Sequence, residues 1–120
     1  MQIQYFADLQ LSLEVMKGIE ELGYDSLFPI QAQAMTPLLE GKDVIGQAQT
    51  GTGKTAAFGI PMVERLNPNL RDVQGLVLVP TRELAVQVAD HIGRFCKYTR
   101  LKVLAIYGGE SVEKQVYALR

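Results

Sequence analysis

The sequence holds one cysteine, Cys96, and one histidine, His91. A single thiol excludes an internal disulfide and a cysteine-built zinc site. A single imidazole argues against a histidine-rich metal centre. No apolar run approaches the roughly 18 residues of a membrane span. The opening Met1-Gln2-Ile3-Gln4 lacks the basic-then-apolar order of a signal peptide. Internal repeats, low-complexity stretches and long linkers are missing too. These absences fit an intracellular, reducing compartment.

What remains is ordinary globular material. The chain has 120 residues, 48% hydrophobic and 21% charged, which is the size of one domain. The net charge of −1 says little, but its distribution says more. Residues 1–60 carry 7 acids and 3 bases, and residues 61–120 carry 6 acids and 9 bases. The asymmetry is compatible with an anionic partner on one side. Arg94, Lys97, Arg100 and Lys102 dominate the basic half and read as a solvated helix end.

The pattern along the chain predicts helices first. Residues 12–22 form an amphipathic helix, with Ser12 as N-cap, Leu13, Met16, Ile19 and Leu22 on one stripe, and Gly23 just past the end. A second helix runs from Pro29 to Glu40, and Pro37 should kink or divide it. Strand and helix then alternate. Asp43–Gln47 is a short strand, and Lys54–Leu66 is a helix stopped by Asn67-Pro68-Asn69. Gly75–Val79 is an unbroken apolar run, the signature of a strand buried on both faces. Arg82–Lys97 is a helix with Leu84, Val88, Ile92 and Phe95 inward, and Leu101–Ile106 is a third strand. A last helix begins near Ser111, with Val112, Val116 and Leu119 in phase. This order predicts an α/β fold with a parallel, doubly wound sheet. The final helix is still in phase at Arg120 with no stop signal, so the expectation is a truncated domain.

The strongest chemical signal is Ala48-Gln49-Thr50-Gly51-Thr52-Gly53-Lys54-Thr55. A glycine-rich turn between strand and helix lets backbone N–H groups converge, and the helix N-terminus adds partial positive charge. Lys54 reaches the β- and γ-phosphates, and the Thr55 hydroxyl ligates Mg²⁺. Ala48 stands where the strict pattern has glycine. The expected ligand is a nucleoside triphosphate.

This loop, together with Pro80-Thr81-Arg82-Glu83-Leu84-Ala85, resembles the first half of the N-terminal RecA-like domain of DEAD-box ATP-dependent RNA helicases. Gly23-Tyr24 followed by Pro29-Ile30-Gln31 resembles that family's Q motif. Phe6, 17 residues ahead of Gly23, stands where the family has an isolated aromatic, and Gly108-Gly109 resembles its Gly-Gly element. The resemblance spans Phe6 to the end. It implies a Q-motif helical segment over residues 1–41 and a partial RecA-like P-loop domain over residues 42–120, with three strands and flanking helices.

The resemblance also implies roles. Gln31 reads the adenine edge of ATP, since its amide offers one acceptor and two donors. Tyr24 packs near the base and Phe6 adds apolar contact. Pro80, Thr81, Arg82, Gly108 and Gly109 touch the RNA backbone, independently of base sequence. Taken alone, Gln31 is a surface glutamine and Thr81 a plain N-cap. The family has Pro-Thr ahead of Pro-Ile-Gln where this chain has Leu27-Phe28, so one local hydroxyl is missing from the adenine pocket. His91 reads as a surface or boundary residue and Cys96 as core filling.

The Asp-Glu-Ala-Asp motif, which supplies the Mg²⁺ carboxylate and positions the attacking water, does not occur in the sequence. The Ser-Ala-Thr motif and a second RecA-like domain are absent as well. The expectation is therefore a cytoplasmic, ATP-binding front part of an RNA helicase that by itself hydrolyses little ATP. The competing expectation is a short nucleotide- or RNA-binding module without turnover. Unflanked by later strands, Asp43–Gln47 would expose an edge, and marginal stability is expected.

Overall fold

The computed structural model describes residues 5–49 and 53–120. Among the described residues, a short 3₁₀ turn, Phe6–Leu9, precedes five α-helices. These are α1 (Leu13–Glu21), α2 (Pro29–Leu39), α3 (Lys54–Arg65), α4 (Arg82–Phe95) and α5 (Val112–Leu119). The helix positions agree with the sequence reading to within two residues at the ends.

Local chemistry explains the boundaries. Ser12 caps α1 by accepting the Val15 N–H at 3.4 Å. The helix ends in a Schellman arrangement: Gly23 N–H donates to Glu20 and Tyr24 N–H to Ile19, with Gly23 at φ 77°. Pro29 opens α2 at a position whose N–H has no helical partner anyway. Pro37 does not divide α2. It lies in the last turn, so only one ladder bond is lost, and the helix continues to Leu39.

Helix α3 is the centre of the packing, touching α1, α2 and α4. Its Ala56, Ile60 and Val63 join Phe6, Val15, Ile19, Met35, Ile92, Phe95 and Cys96 in one buried cluster. Each large aliphatic side chain buried this way contributes about 1.5–3 kcal/mol relative to exposure. Cys96 is core filling as expected, and burial pushes its thiol pKa up. His91 is half-buried and stacks on Phe95 at 5.9 Å.

The predicted sheet is the main departure. Among the described residues, segments 43–47, 75–79 and 101–106 form no ladder. Among the described residues, the one β pairing is an isolated antiparallel bridge between Tyr5 and Ser26, which the sequence did not suggest. Leu76 and Leu78 are 77% and 85% exposed, although their unbroken apolar run predicts burial on both faces. Ile45 is fully exposed. A strand exists only through hydrogen bonds to a neighbour about 4.8 Å away, and these three segments do not supply that neighbour to one another. For the same reason α5 buries none of its stripe: Val112, Val116 and Leu119 all stay exposed.

Candidate nucleotide and RNA sites

The first site forms where α2 and α3 begin. Gly53 is the N-cap of α3, at φ 81° and ψ 29°, with no side chain capping the first turn. The position tolerates only glycine. Its φ is left-handed, and an added Cβ would sit 2.2 Å from the Gln31 amide nitrogen. A helix start leaves up to four N–H groups without an intrahelical partner, and it carries the positive end of the helix dipole. Lys54 is exposed beside it, and its Nζ donates to the Ala48 carbonyl at 2.7 Å. That bond ties the ammonium back to Ala48, the residue that opens the loop. Thr55 is the second residue of α3 and half-buried, Ala48 is half-buried and Gln49 is exposed. Thr50, Gly51 and Thr52, which the sequence also assigns to phosphate binding, lie outside the described residues.

Gln31 is buried, not a surface glutamine. Its Oε1 accepts the Phe28 N–H at 3.0 Å, and its Nε2 donates to the Gly53 carbonyl at 3.2 Å. One amide thus caps α2 and braces the loop entering α3. An amide has two N–H groups and two lone pairs on oxygen, so one donor and one acceptor position remain beyond these two bonds. Phe28 stands where the Q motif has a hydroxyl. It caps α2 with no side-chain hydrogen bond, and its ring borders Gly53.

Tyr24 and Phe6 lie in the core rather than on an open wall. Their rings stack at 5.8 Å and 24°, and Tyr24 tilts against Phe95 at 6.4 Å. Phe6 is 2% exposed, so only Tyr24 of the pair keeps accessible surface. The N-terminal segment is tied back to α3 by Glu64. Its carboxylate accepts the Ser12 N–H at 3.0 and 3.2 Å and the Ser12 hydroxyl at 3.0 Å. Sequence reasoning did not single out Glu64, because nothing local links residues 52 positions apart.

The second site forms where α4 begins. A cleft of about 300 Å³ takes Pro80, Thr81 and Arg82 from one side and Ile106, Tyr107 and Gly108 from the other. The two stretches implied for RNA contact therefore converge. Thr81 caps α4 by accepting the Leu84 N–H at 3.1 Å, which leaves its hydroxyl proton free to donate. Gly109 has φ 89°, and an added Cβ would meet an Arg82 guanidinium nitrogen at 3.0 Å. The glycine thus makes room for the guanidinium. Tyr107 joins the cleft unforeseen, although it directly precedes the Gly-Gly pair. Its N–H donates to Gln115 Oε1 at 2.8 Å, and Gln115 Nε2 donates to the Ser111 carbonyl at 3.3 Å.

The basic cluster lies at the other end of α4 from Arg82. Arg94 pairs with Asp90 at 3.3 Å, and Lys97 pairs with Glu21, which also accepts from the Tyr98 hydroxyl. The Lys97 hydrogen bond, followed by that of Tyr98, holds the Glu21 carboxyl below the usual range; the same carboxylate raises Lys97 and Tyr98. The cluster is a solvated face, as expected. Among the described residues, no group of three His, Cys, Asp or Glu could hold a metal ion, and no helix is long and apolar enough to cross a membrane.

Known proteins resemble this chain in sequence and fold. The chain is 54% identical over 115 residues to the DEAD-box ATP-dependent RNA helicase CshA of Geobacillus kaustophilus and 51% identical to that of Bacillus subtilis. In both cases 96% of this chain is matched. The chain spans about a quarter of those relatives' length, 25% and 23%. Among solved structures, a DEAD box protein from the hyperthermophile Methanococcus jannaschii superimposes with a TM-score of 0.88 at 35% identity, covering 100% of this chain and 33% of that one. The RNA-helicase Prp28 from Chaetomium thermophilum, bound to ADP, gives 0.87 at 34% identity, covering 98% and 30%. The DEAD/DEAH box helicase profile matches residues 28–120, from the α2 N-cap through both sites. The chain belongs to the DEAD/DEAH box helicase family.

Proposed function

We propose that this chain is the ATP-binding front part of an RNA helicase that couples ATP binding and hydrolysis to clamping and unwinding RNA. The observation that carries the reading is the Gln31 amide, which joins the α2 cap to the Gly53 carbonyl of the phosphate loop. Gln31 reads the adenine edge with its remaining donor and acceptor. Gly53, Lys54 and the open α3 N-terminus take the phosphates, with Ala48 and Gln49 leading into the loop. Residues 1–41 act as the Q-motif segment and residues 42–120 as the P-loop part, whose segments 43–47, 75–79 and 101–106 belong to a parallel sheet.

Mg²⁺ fits this donor set in a limited way. Thr55 offers one hydroxyl oxygen beside Lys54, and the ion's remaining ligands come from phosphates and water. When bound, Mg²⁺ neutralises phosphate charge. The residues of this chain bind and orient the nucleotide; the sequence contains no Asp-Glu-Ala-Asp stretch to position an attacking water. The second cleft takes RNA by its phosphates. Thr81 donates its hydroxyl, Arg82 offers a bidentate fork, and Pro80, Gly108 and Gly109 allow close backbone approach. Such contacts are sequence-independent and salt-sensitive.

Calorimetry with ATP on the wild type and on Lys54→Ala tests the first step. Loss of measurable ATP affinity in the variant is expected, and unchanged affinity refutes the site. RNA-stimulated ATP hydrolysis by the 120-residue chain would refute the assignment of turnover to residues outside it.

A further inference from the structure

We propose that Gln115 is a positioning residue of the second cleft: it sets the Gly108–Gly109 turn and, through that turn, the Arg82 guanidinium that meets an RNA phosphate. The inference rests on the reading of this cleft as the RNA site. Three observations carry it. The Gln115 amide spans the turn, with its Oε1 accepting the Tyr107 N–H ahead of the glycines at 2.8 Å and its Nε2 donating to the Ser111 carbonyl beyond them at 3.3 Å. The turn borders the site: Tyr107 and Gly108 line the cleft with Arg82, and a Cβ on Gly109 would stand 3.0 Å from an Arg82 guanidinium nitrogen. Arg82 is exposed and, among the described residues, in no ion pair, so no carboxylate fixes where its guanidinium rests.

The bridge does not serve the core. A surface helix is ordinarily held by an apolar face, and α5 buries none of its residues. The Tyr107 N–H has no sheet to join, because residues 101–106 form no ladder among the described residues. The amide therefore fixes the two ends of residues 108–110, and Gly109, at φ 89°, takes the bend between them. A group that meets a ligand is held only as accurately as the residues behind it allow, and a planar fork needs both N–H directions right to hold a phosphate. With the amide gone, the turn drifts and the guanidinium loses the backbone it rests against. Gln115 acts through Tyr107 and the glycines and touches no RNA itself.

Fluorescence anisotropy of a labelled single-stranded oligouridylate with the whole chain, over a salt series, tests this beside calorimetry with ATP and Mg²⁺. Gln115→Met keeps the side chain's length and removes both bonds. It is expected to weaken RNA binding by about tenfold and to lower the salt slope by about 0.7, the value of one single-strand phosphate contact. Exchange of the Tyr107 amide hydrogen should quicken, while ATP affinity stays at the wild-type value. Wild-type RNA affinity in Gln115→Met would overturn the proposal. So would a matching loss of ATP affinity, or a loss of RNA affinity with an unchanged salt slope, since either marks a merely structural residue. Arg82→Ala tests the cleft reading separately and should lose at least as much RNA affinity. If Arg82→Ala binds RNA as the wild type does, the cleft reading falls and this inference with it. If Arg82→Ala loses affinity and Gln115→Met does not, this inference alone falls.

Discussion

Helix α3 enters from a glycine in the left-handed region, which has no side chain to offer the first amides. Helix α4 enters from a threonine whose hydroxyl already takes the Leu84 N–H. A cation follows each, Lys54 in one case and Arg82 in the other. The N-cap residue of the first helix start thus supplies no side-chain oxygen, whereas that of the second satisfies one of the four N–H groups a helix start leaves open. On the function proposed above, the first entrance takes phosphates on its backbone and the second lends side chains to a passing one.

The sharpest way to break this comparison is to put a side chain on the first entrance. Gly53→Ala combines left-handed strain with overlap on the Gln31 amide, and should cost about 2–4 kcal/mol of stability. Denaturant unfolding reads it, with nucleotide affinity falling in parallel. Removing the tether that fixes α3 comes next. Glu64→Ala leaves the Ser12 N–H without its carboxylate and should cost about 1–3 kcal/mol, with Glu64→Gln recovering part of that in the same assay. Thr81→Ala removes the cap of the second entrance. It should lower stability by about 1 kcal/mol and leave ATP affinity untouched, while Thr81→Ser restores the midpoint.

The smallest effect concerns the tie between α1 and the end of α4. Glu21 has its pKa lowered in the fold, so its contribution is present above the ordinary 4.5 and fades as pH falls through the lower folded value. Lys97 and Tyr98 have theirs raised, so their contribution is present below the ordinary 10.5 and 10.0 and fades as pH rises through the folded values. Glu21→Gln should flatten both edges of a stability–pH curve slightly, and less at high salt, because Glu21 and Lys97 are exposed and solvent screens the pair. A curve unchanged by the substitution would show that the tie contributes nothing.

The helices were legible because each carries its own instructions. Ser12, Thr81 and Ser111 cap α1, α4 and α5 as side chains, and Gly23 closes α1. The strands were not legible as paired structure, since Val77 or Val103 can announce an extended preference but not a neighbour. The inward stripe of α4 shows the same limit. Ile92 and Phe95 are buried, but Leu84, at the end facing the unpaired segments, is 38% exposed. The candidate sites divide likewise. The Gly-Lys-Thr end was visible as a phosphate-loop motif and the Pro-Thr-Arg-Glu-Leu run through the family resemblance, whereas Glu64 and Gln115 act across the fold or a loop, on partners that no periodicity names.

The bond from the Gln31 Nε2 to the Gly53 carbonyl has a thermodynamic consequence. A base that orients the Gln31 amide also orders the backbone entering α3, and a phosphate that orders this backbone also fixes the amide. Each half of the nucleotide then changes the affinity for the other by the same factor, as linkage requires. Adenosine and inorganic triphosphate, added together as separate molecules, should each bind more tightly than alone. The reciprocal factor measures how much of the site's order resides in one side chain.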